Sequence, residues 1–346
     1  MNVLDSASTK LFTARTLIER GVFRPTRPDR LVKTGLALHR WGPTAAAGYQ
    51  TSAIRYPDQL ALIDDLGSLT FAEVHRRTNG LAHALADRGI GAGDHIAILC
   101  RNHRGMIDIT VACSKLGAHA LYLNTMFSAP QIKDVCERHE PKAIVYDEEF
   151  AEVIAPAHEG RTGFVAWTEG ADHDDELLED LIRGGDASEV QPPEKKGRVT
   201  ILTSGTTGTP KGANRKQPES LEPVAALLDR IPYTAREHTH IAAPMFHSWG
   251  YANWMLAISL SSTVVLRRRF TPEGALGAVA QFGCTGFVVV PVMLQRIMEL
   301  PAEVIEKYDL RALRVIAASG SALPGELATK VMDRFGDVLY NLYGST

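Results

Sequence analysis

The sequence lacks clustered cysteines and an excess of positive charge. Its 346 residues include 37 Lys and Arg against 40 Asp and Glu, a formal net charge of −3, so no global positive field indicates nucleic-acid binding. The four cysteines lie far apart, at positions 100, 113, 136 and 284. Because no C-x-x-C pair occurs, neither a zinc site nor a redox motif is indicated. We expect reduced, buried thiols in a cytoplasmic protein that has no nucleic-acid partner.

Long uninterrupted apolar segments are also lacking. The longest uncharged stretch, residues 248–266, contains several Ser residues together with Gly250, Asn253 and Thr263. This pattern predicts a buried helix followed by a strand rather than a membrane span. Residues 1–20 contain three cations and no continuous apolar core, so they do not resemble a secretory signal peptide.

The first 41 residues differ from the rest of the chain because they are basic. They contain eight Lys and Arg residues and three acids, together with apolar residues such as Leu11, Phe12 and Phe23. A basic amphipathic segment can pack on a domain with a solvated outer face, which is the commoner case, or it can contact an anionic membrane. We expect a basic extension over residues 1–44, and peripheral membrane contact through residues 1–41 stays open.

Strand and helix signals alternate from about residue 60, which predicts parallel, doubly wound sheets. The clearest helix signal spans residues 71–88, where Thr70 and Glu73 form a capping-box pattern before apolar residues at helical spacing. Further helices are predicted at 104–116, 130–138 and 323–335, and two more begin at Pro272 and Pro291. The predicted strands are 61–63, 95–100, 118–123, 143–146, 199–203, 240–243, 263–266, 287–290, 314–318 and 338–342.

A polar stretch divides the alternating pattern into two parts. Residues 184–198 are rich in charge and contain Gly and a Pro pair, which is typical of a linker or surface loop. We therefore predict an α/β fold with two doubly wound, mainly parallel subdomains. The first would cover residues 45–185 and the second residues 186–346.

Four predicted strands end in short polar or hydroxyl-bearing segments. These are residues 203–212, residues 319–322, residues 343–346 and the segment that contains His247. Ligands of open α/β sheets bind outside the carboxyl ends of the strands. The sequence therefore predicts a polar, anion-tolerant site along one edge of a sheet.

Residues 203–212, TSGTTGTPKG, contain three glycines, five hydroxyl side chains and one lysine. Glycines let the backbone turn its N–H groups toward a phosphate, and Lys211 adds a mobile positive charge. The segment is not a Walker A loop, because Pro210 precedes the lysine and Gly212 follows it, so a helix opening at Lys211 is not expected. A flexible linker is the alternative, although linkers rarely follow an apolar strand directly.

Residues 203–212 resemble the phosphate loop of the adenylate-forming superfamily, which includes acyl-CoA synthetases, firefly luciferase and the adenylation domains of peptide synthetases. Three further segments resemble motifs of that family, in the family's order. SGSALP at 319–324 resembles its adenine-contacting loop, and APMFHS at 243–248 resembles a segment that lines its acyl tunnel. NLYGST at 341–346 resembles a Tyr-Gly-x-Thr-Glu motif that lacks its final Glu. The resemblance covers about residues 45–346 and identifies an AMP-forming acyl-CoA synthetase.

The resemblance implies a binding site for ATP. The β- and γ-phosphates would be held by Thr203, Ser204, Gly205, Thr206, Thr207, Gly208 and Lys211. The adenine would be lined by Gly320, Ser321 and Ala322, and it would stack on Tyr343. The other nucleotide-binding residues would be Asn341, Leu342, Gly344, Ser345 and Thr346, of which Thr346 would approach the α-phosphate.

The resemblance also implies a site for the acid. His247 would lie where the acyl carboxylate meets the α-phosphate, with Ser248 and Trp249 beside the substrate, although an ordinary core role stays open for His247. His247, Lys211 and Thr346 are the implied catalytic residues. The candidates for an apolar wall of the acyl site are Trp249, Tyr251, Trp254 and Met255. They are compatible with a medium- or long-chain fatty acid, and core packing explains them equally well.

The implied reaction has two steps. The carboxylate attacks the α-phosphorus of ATP and pyrophosphate leaves, after which the thiol of coenzyme A attacks the acyl carbon of the acyl-adenylate. Mg²⁺ would share the stabilisation of charge, but no metal ligand is predicted within this chain, because the family's ligand is the Glu that would follow Thr346. The family's C-terminal lid with its catalytic Lys is likewise absent from these 346 residues, so we expect the chain by itself to bind ATP weakly without completing adenylation.

Other interpretations remain at this point. A fatty acyl-AMP ligase would hand the acyl group to a carrier protein, and a non-catalytic module would only bind a nucleotide or an acyl group. An unrelated α/β NTPase is disfavoured by the failed Walker match. A homodimer is a further expectation, because the last predicted strand offers an open edge.

Overall fold

The chain forms two seven-stranded sheets separated by helices. The computed structural model describes residues 3–24, 27–170, 174–203, 211–213 and 222–342. The strands are β1 (Leu60–Asp64), β2 (Gly67–Thr70), β3 (His95–Leu99), β4 (His119–Tyr122), β5 (Ala143–Asp147), β6 (Thr162–Trp167), β7 (Glu176–Leu177), β8 (Val199–Thr203), β9 (Lys211–Ala213), β10 (His238–Ile241), β11 (Thr263–Val265), β12 (Gly286–Val289), β13 (Val315–Ala318) and β14 (Leu339–Asn341).

Fourteen α-helices and one 3-10 turn lie within the described residues. The helices are α1 (Val3–Glu19), α2 (Pro28–Trp41), α3 (Ala45–Arg55), α4 (Phe71–Asp87), α5 (Arg104–Leu116), α6 (Ala129–His139), α7 (Ala151–His158), α8 (Leu178–Gly184), α9 (Glu222–Arg230), α10 (Ser248–Ser259), α11 (Pro272–Gln281), α12 (Pro291–Met298), α13 (Ala302–Ile305) and α14 (Gly325–Phe335), and the 3-10 turn is Glu148–Phe150. None of the helices in the described ranges is both long and apolar enough to span a bilayer.

Both sheets are mainly parallel, as predicted. The first sheet has the order β14-β13-β12-β10-β11-β1-β2, and β2 is its antiparallel edge strand. The second sheet has the order β7-β6-β5-β3-β4-β8-β9, and β9 is its antiparallel edge strand. The prediction of a doubly wound α/β fold is confirmed. β14 forms the other edge of the first sheet within the described residues, and the expected homodimer through that edge stays a prediction.

The two sheets are not built from consecutive halves of the chain. β1 and β2 come from the first half but belong to the sheet that β10–β14 form, and β8 and β9 belong to the sheet of β3–β7. The predicted units 45–185 and 186–346 therefore exchange strands across residue 185. Their boundary stays a prediction about domain organisation.

A layer of helices fills the space between the sheets. Helices α3, α4, α5 and α10 share one core cluster with both sheets, in which Leu62 and Ile98 from different sheets are both fully buried. A strand that is covered on both faces has apolar residues at nearly every position, which explains the sequence HIAIL of β3. The outer faces are covered by α11, α12 and α14 on the first sheet and by α6 and α7 on the second.

Local sequence signals explain where several helices begin and end. The predicted capping box starts α4, because the Glu73 N–H donates to Thr70 Oγ1 at 3.2 Å and the Thr70 N–H donates to Glu73 Oε2 at 2.7 Å. Thr271 caps α11 by accepting from the Gly274 N–H at 3.1 Å. Helix α5 ends at Gly117, whose φ of 76° lies in the left-handed region that glycine adopts without strain. The stretch 248–266 forms α10 and β11, as predicted, and all four cysteines are buried and free.

The basic N-terminal segment forms two helices that pack on the domain. Leu17 of α1 is buried beside Leu228 and Tyr233, and Trp41 of α2 is buried beside Ala46 and Ala47 of α3. The packed arrangement that the sequence favoured is therefore present. It leaves the outer faces of both helices exposed.

Candidate active site

The predicted phosphate loop connects two antiparallel strands. β8 and β9 form a hairpin in which Thr203 lies opposite Lys211. Lys211 begins a strand, which confirms that no helix opens there. The intervening Ser204, Gly205, Thr206, Thr207 and Gly208 lie outside the described residues, so their phosphate-binding role stays a prediction.

The predicted adenine loop and the C-terminal motif lie next to each other. Ser319 Oγ donates to the Leu342 carbonyl at 2.6 Å, and the Leu342 N–H donates to the Ala318 carbonyl at 2.9 Å. Asn341 pairs in register with Ala318. Gly320 has a φ of 98°, a conformation that favours glycine. Gly320, Ser321, Ala322 and Asn341 are exposed at this edge, and Tyr343, Gly344, Ser345 and Thr346 lie outside the described residues.

The predicted acyl segment reaches the same edge of the first sheet. Trp249 Nε1 donates to the Val289 carbonyl, at the carboxyl end of β12, at 2.9 Å. The next residue, Val290, lies against the adenine loop, since a Cβ placed on Gly320 would meet Val290 Cγ1 at 3.4 Å. The end of β12 therefore brings the acyl segment and the adenine loop together.

His247 is the N-cap residue of α10 and is half-buried. Its backbone N–H donates to the Pro244 carbonyl at 3.1 Å, and its ring centroid lies 4.6 Å from that of Phe246. Burial lowers the pKa of its imidazole. Within the described ranges, neither ring nitrogen of His247 has a hydrogen-bond partner. Ser248, the first residue of α10, is also half-buried.

Asn102 positions the segment before His247, and the sequence analysis missed it. Its Nδ2 donates to the Ala243 carbonyl at 2.9 Å and to the Ile241 carbonyl at 3.2 Å, and its Oδ1 accepts from the Met245 N–H at 2.8 Å. Because Asn102 follows β3 of the second sheet, it ties the turn after β10 to the other sheet. A polar Arg-Asn-His run directly after an apolar strand was the available signal.

Helix α10 also connects His247 to the phosphate-loop hairpin. Tyr251 lies one turn after His247, and its ring centroid is 5.9 Å from that of Tyr122, in an edge-on arrangement. Tyr122 pairs in register with Ile201 of β8. Packing therefore links the acid end of the site to the strand that leads into the hairpin.

The sequence profile of the AMP-binding enzyme family matches residues 49–346. The chain belongs to this family. The predicted resemblance to the adenylate-forming superfamily is thereby confirmed, and the members of this family that the chain matches include acid–CoA ligases.

Two curated relatives illustrate the range of the family. Feruloyl-CoA synthase of an Amycolatopsis species is 30% identical over 285 residues, which are 81% of this chain and 54% of that protein. The fatty acid–[acyl-carrier-protein] ligase ScoC of Streptomyces coeruleorubidus is 26% identical over 302 residues, which are 84% of this chain and 56% of that protein. The chain thus spans about half the length of the curated relatives it matches.

The fold is shared with solved structures of the family. The crystal structure of the anthranilate CoA ligase AuaEII in complex with anthranoyl-AMP aligns with a TM-score of 0.74 at 20% identity. The alignment covers 86% of this chain and 58% of that one. At this identity the comparison shows a common fold.

In this AMP-binding enzyme, the four residues predicted to form an apolar wall of the acyl site lie in three different places. Trp254 is fully buried and donates Nε1 to Tyr49 Oη at 3.1 Å, so it is a core residue. Trp249 is held by the end of β12, as described above. Tyr251 and Met255 line a cleft between α3, α5 and the β4–β8 strand pair.

Cys100, His103 and Asp147 are the one cluster of potential metal ligands that the described part of this AMP-binding enzyme contains. His103 Nδ1 accepts from the Gly105 N–H at 3.1 Å, so its Nε2–H donates to Asp147 Oδ1 at 2.7 Å. Burial raises the pKa of the Cys100 thiol well above its usual value, which disfavours the thiolate that binds metals. The donor set therefore serves a hydrogen-bond network and does not fit a metal ion.

Proposed function

We propose that the whole protein uses ATP to convert a carboxylic acid into an acyl-adenylate and then into an acyl-CoA thioester. The observation that carries the proposal is the meeting of three motif segments at one sheet edge, through the contacts of Ser319 with Leu342 and of Trp249 with Val289. Carboxyl ends of parallel strands are where α/β proteins bind ligands. Family membership supports the same reaction class.

The nucleotide would occupy the edge formed by β13 and β14. Gly320, Ser321 and Ala322 present exposed backbone and hydroxyl groups there, which suit an adenine, and Tyr343 would stack on it. Lys211 and the loop 203–208 would hold the phosphates. The residues described at this edge do not include a group of carboxylates that could coordinate Mg²⁺. The ion would therefore be held largely by the ATP phosphates, as is common for Mg²⁺.

His247 would orient the carboxylate of the acid. Its lowered pKa makes it a neutral imidazole at pH 7, so it would act as a hydrogen-bond donor and not as a cation. Holding the carboxylate against the α-phosphorus contributes through positioning, because the reacting atoms no longer have to find each other by diffusion. Asn102 would keep His247 in place through the backbone of residues 241–245.

We propose a medium- or long-chain fatty acid as the substrate. The proposal is supported by Tyr251 and Met255, which present apolar side-chain surface to a cleft one and two turns beyond His247 along α10. The name of ScoC specifies a fatty acid, whereas the name of feruloyl-CoA synthase specifies an aromatic acid. Aromatic acids are therefore the comparison class in the assay.

The first test measures pyrophosphate release by the whole protein with ATP and Mg²⁺. The panel contains fatty acids of increasing length and aromatic acids, each with and without coenzyme A. Turnover that needs coenzyme A and peaks at one fatty chain length supports the proposal. Turnover that needs a carrier protein instead indicates an acyl-AMP ligase, an alternative that the name of ScoC favours. Silence with every acid would leave only a nucleotide- or acyl-binding module.

The role of His247 is tested with a matched pair of variants. His247→Ala should lower kcat/KM by about 10²-fold, since an oriented hydrogen bond to the reacting group is removed. His139→Ala serves as the control, because His139 is also a half-buried histidine with a pKa lowered by burial but lies on α6. Equal activity of the two variants would remove His247 from the mechanism.

The expectation that these 346 residues alone do not complete adenylation stays a prediction, and acyl-adenylate formed by this chain would contradict it.

A further inference from the structure

Exposed apolar side chains are concentrated on the two N-terminal helices. Twelve large apolar side chains are exposed in the described residues, and eight of them lie between residues 11 and 38. Leu11 of α1 is 71% exposed and Val32 of α2 is 63% exposed. Such clusters on a folded domain mark interaction sites, whereas single exposed apolar residues need no explanation.

Helical geometry places these side chains on the outer faces of both helices. In α1, Leu11 and Ile18 are seven residues apart and lie on the side opposite to the face centred between the buried Thr16 and Leu17. In α2, Val32 and Leu36 are one turn apart, and the opposite face buries Ala37 and Trp41. A surface helix normally has a polar outer face, so large apolar side chains on the outer faces of both helices are unusual.

Both helices are fixed to the body, and hydrogen bonds bring the end of α1 close to the start of α2. Arg20, the residue directly after α1, donates to the Leu228 carbonyl of α9 at 2.9 Å. Arg55 of α3 donates to the Val22 carbonyl at 2.8 Å, and Arg30 of α2 donates to the Arg55 carbonyl at 2.8 Å. The end of α1 and the start of α2 therefore meet at Arg55. We call the outer faces of α1 and α2, with the exposed connecting residues Phe23 and Arg24, the N-terminal face.

The N-terminal face is also positively charged. Residues 1–41 carry a net charge of +5, and since the whole chain carries −3, the other 305 residues carry −8. Glu19 pairs with Arg15 and Asp29 with Arg27. Among the described residues, no ion pair is recorded for the exposed cations Lys10, Arg24, Lys33 and Arg40. Within those residues, Arg40 donates only to the neutral side chain of Gln191, at 2.7 Å, so the four charges can meet an anionic surface.

We propose that the N-terminal face docks on an anionic lipid bilayer. Leu11, Ile18, Val32 and Leu36 insert at the boundary between headgroups and acyl chains, and the four cations contact lipid phosphates. A bilayer with negative headgroups matches both properties of the face, because binding of interfacial helices depends on buried apolar area and on attraction of Lys and Arg to anionic lipids. The proposal is independent of the reaction that the protein catalyses.

The test is flotation of the 346-residue chain with vesicles. One set contains phosphatidylcholine alone, and the other contains phosphatidylcholine with phosphatidylglycerol. We expect binding to the anionic set that weakens as salt is added. The double variant Lys33→Gln and Arg40→Gln should bind about 25-fold more weakly, since each cation near such a surface contributes about fivefold.

The apolar contribution is tested by Val32→Gln combined with Leu36→Gln, which should weaken vesicle binding at least about tenfold. Leu66→Gln with Met126→Gln is the matched control, because these apolar side chains are also more than half exposed but lie elsewhere on the surface. Glutamine is a good helix former, and far-ultraviolet circular dichroism with a thermal melt checks that α2 persists.

Three outcomes would overturn the proposal. The first is an absence of binding to the anionic vesicles. The second is an equal loss of binding in the control variant. The third is a dimer, detected by light scattering during gel filtration, that becomes a monomer when Val32 and Leu36 are replaced, in a protein that binds no vesicles. That result would make the N-terminal face a self-association surface.

Discussion

At the residue scale, His240 shows how burial controls protonation. It lies fully buried in β10, where Nδ1–H donates to the Val265 carbonyl at 2.9 Å. Its ring stacks on Phe287 with a centroid distance of 5.4 Å. Burial lowers the pKa of His240 to about 4, which the hydrogen bond to Val265 opposes only in part.

This lowered pKa predicts a loss of stability in acid. Between pH 6.5 and about 4 the unfolded state binds a proton that folded His240 does not, so the free energy of unfolding falls as the pH falls. The contribution of this one residue should fall by about 2 kcal/mol between pH 7.5 and pH 5.

Urea denaturation of the protein and of His240→Asn at both pH values measures the effect. The Asn amide can replace the Nδ1–H donor but does not titrate. The variant should therefore lose less stability than the protein on acidification. If the free energy of unfolding depends on pH identically in the protein and in the His240→Asn variant, His240 is not the group that causes the loss of stability in acid.

At the element scale, Arg77 joins three helices. Extending from α4, it donates Nη2 to Asp108 of α5 at 2.7 Å and to Glu179 of α8 at 2.7 Å. Burial works against the charge of Arg77, but the two carboxylates keep its pKa above the ordinary value. The Asp108 side chain is only 1% exposed, so it depends on this partner.

Replacing one partner of the Arg77–Asp108 ion pair should lower the free energy of unfolding more than replacing both partners. Arg77→Met leaves the Asp108 carboxylate buried and uncompensated, which should lower the free energy of unfolding by about 3–5 kcal/mol. Arg77→Met combined with Asp108→Met should recover most of that loss, because two apolar side chains replace two buried charges. Chemical denaturation of both variants gives the comparison, and equal costs for the single and double variants would contradict it.

Helix α3 shows which elements the sequence conceals. Elements with a local signal, such as α4 with its capping box or β3 with its apolar run, were predicted closely. Helix α3 was not, although Thr44 caps it by accepting from the Ala47 N–H at 3.2 Å. It lies between two sheets and other helices, so several of its faces are buried and its small residues show no amphipathic period.

At the scale of the whole molecule, Arg268 helps to hold the two sheets together. It follows β11 of the first sheet and its side chain is 6% exposed. It pairs with Glu149 and, at 2.8 Å, with Glu169, which follow β5 and β6 of the second sheet. Its guanidinium also lies 5.0 Å from the ring centroid of Trp167.

Arg268→Met should therefore destabilise the protein by about 3 kcal/mol, because it removes the cation that lies 3.8 Å from the fully buried Asp147 carboxylate and one of the partners of Glu149. Arg269→Met is the matched control, because Arg269 also pairs with Glu149 but its side chain is 59% exposed. An exposed pair contributes less than about 1 kcal/mol. Thermal and urea unfolding of the two variants should differ accordingly, and similar losses would refute the role of Arg268 between the sheets.

The sequence by itself determined the alternation of strands and helices, the buried thiols and the strand ends that carry polar motifs. These features depend on residues close together in the chain, through capping, periodicity and glycine content. It also identified the family, because four short motifs occur in a fixed order.

Only the tertiary structure decided which strands share a sheet and which side chains meet across it. Three such features are the exchange of β1 and β2 for β8 and β9, the role of Asn102, and the meeting of the acyl segment with the adenine loop. All of them depend on contacts between residues 30 or more positions apart. The outward apolar face of α1 and α2 likewise became visible only once their inner faces had packed. Such pairings depend on the free energy of packing whole layers together, which no local pattern encodes.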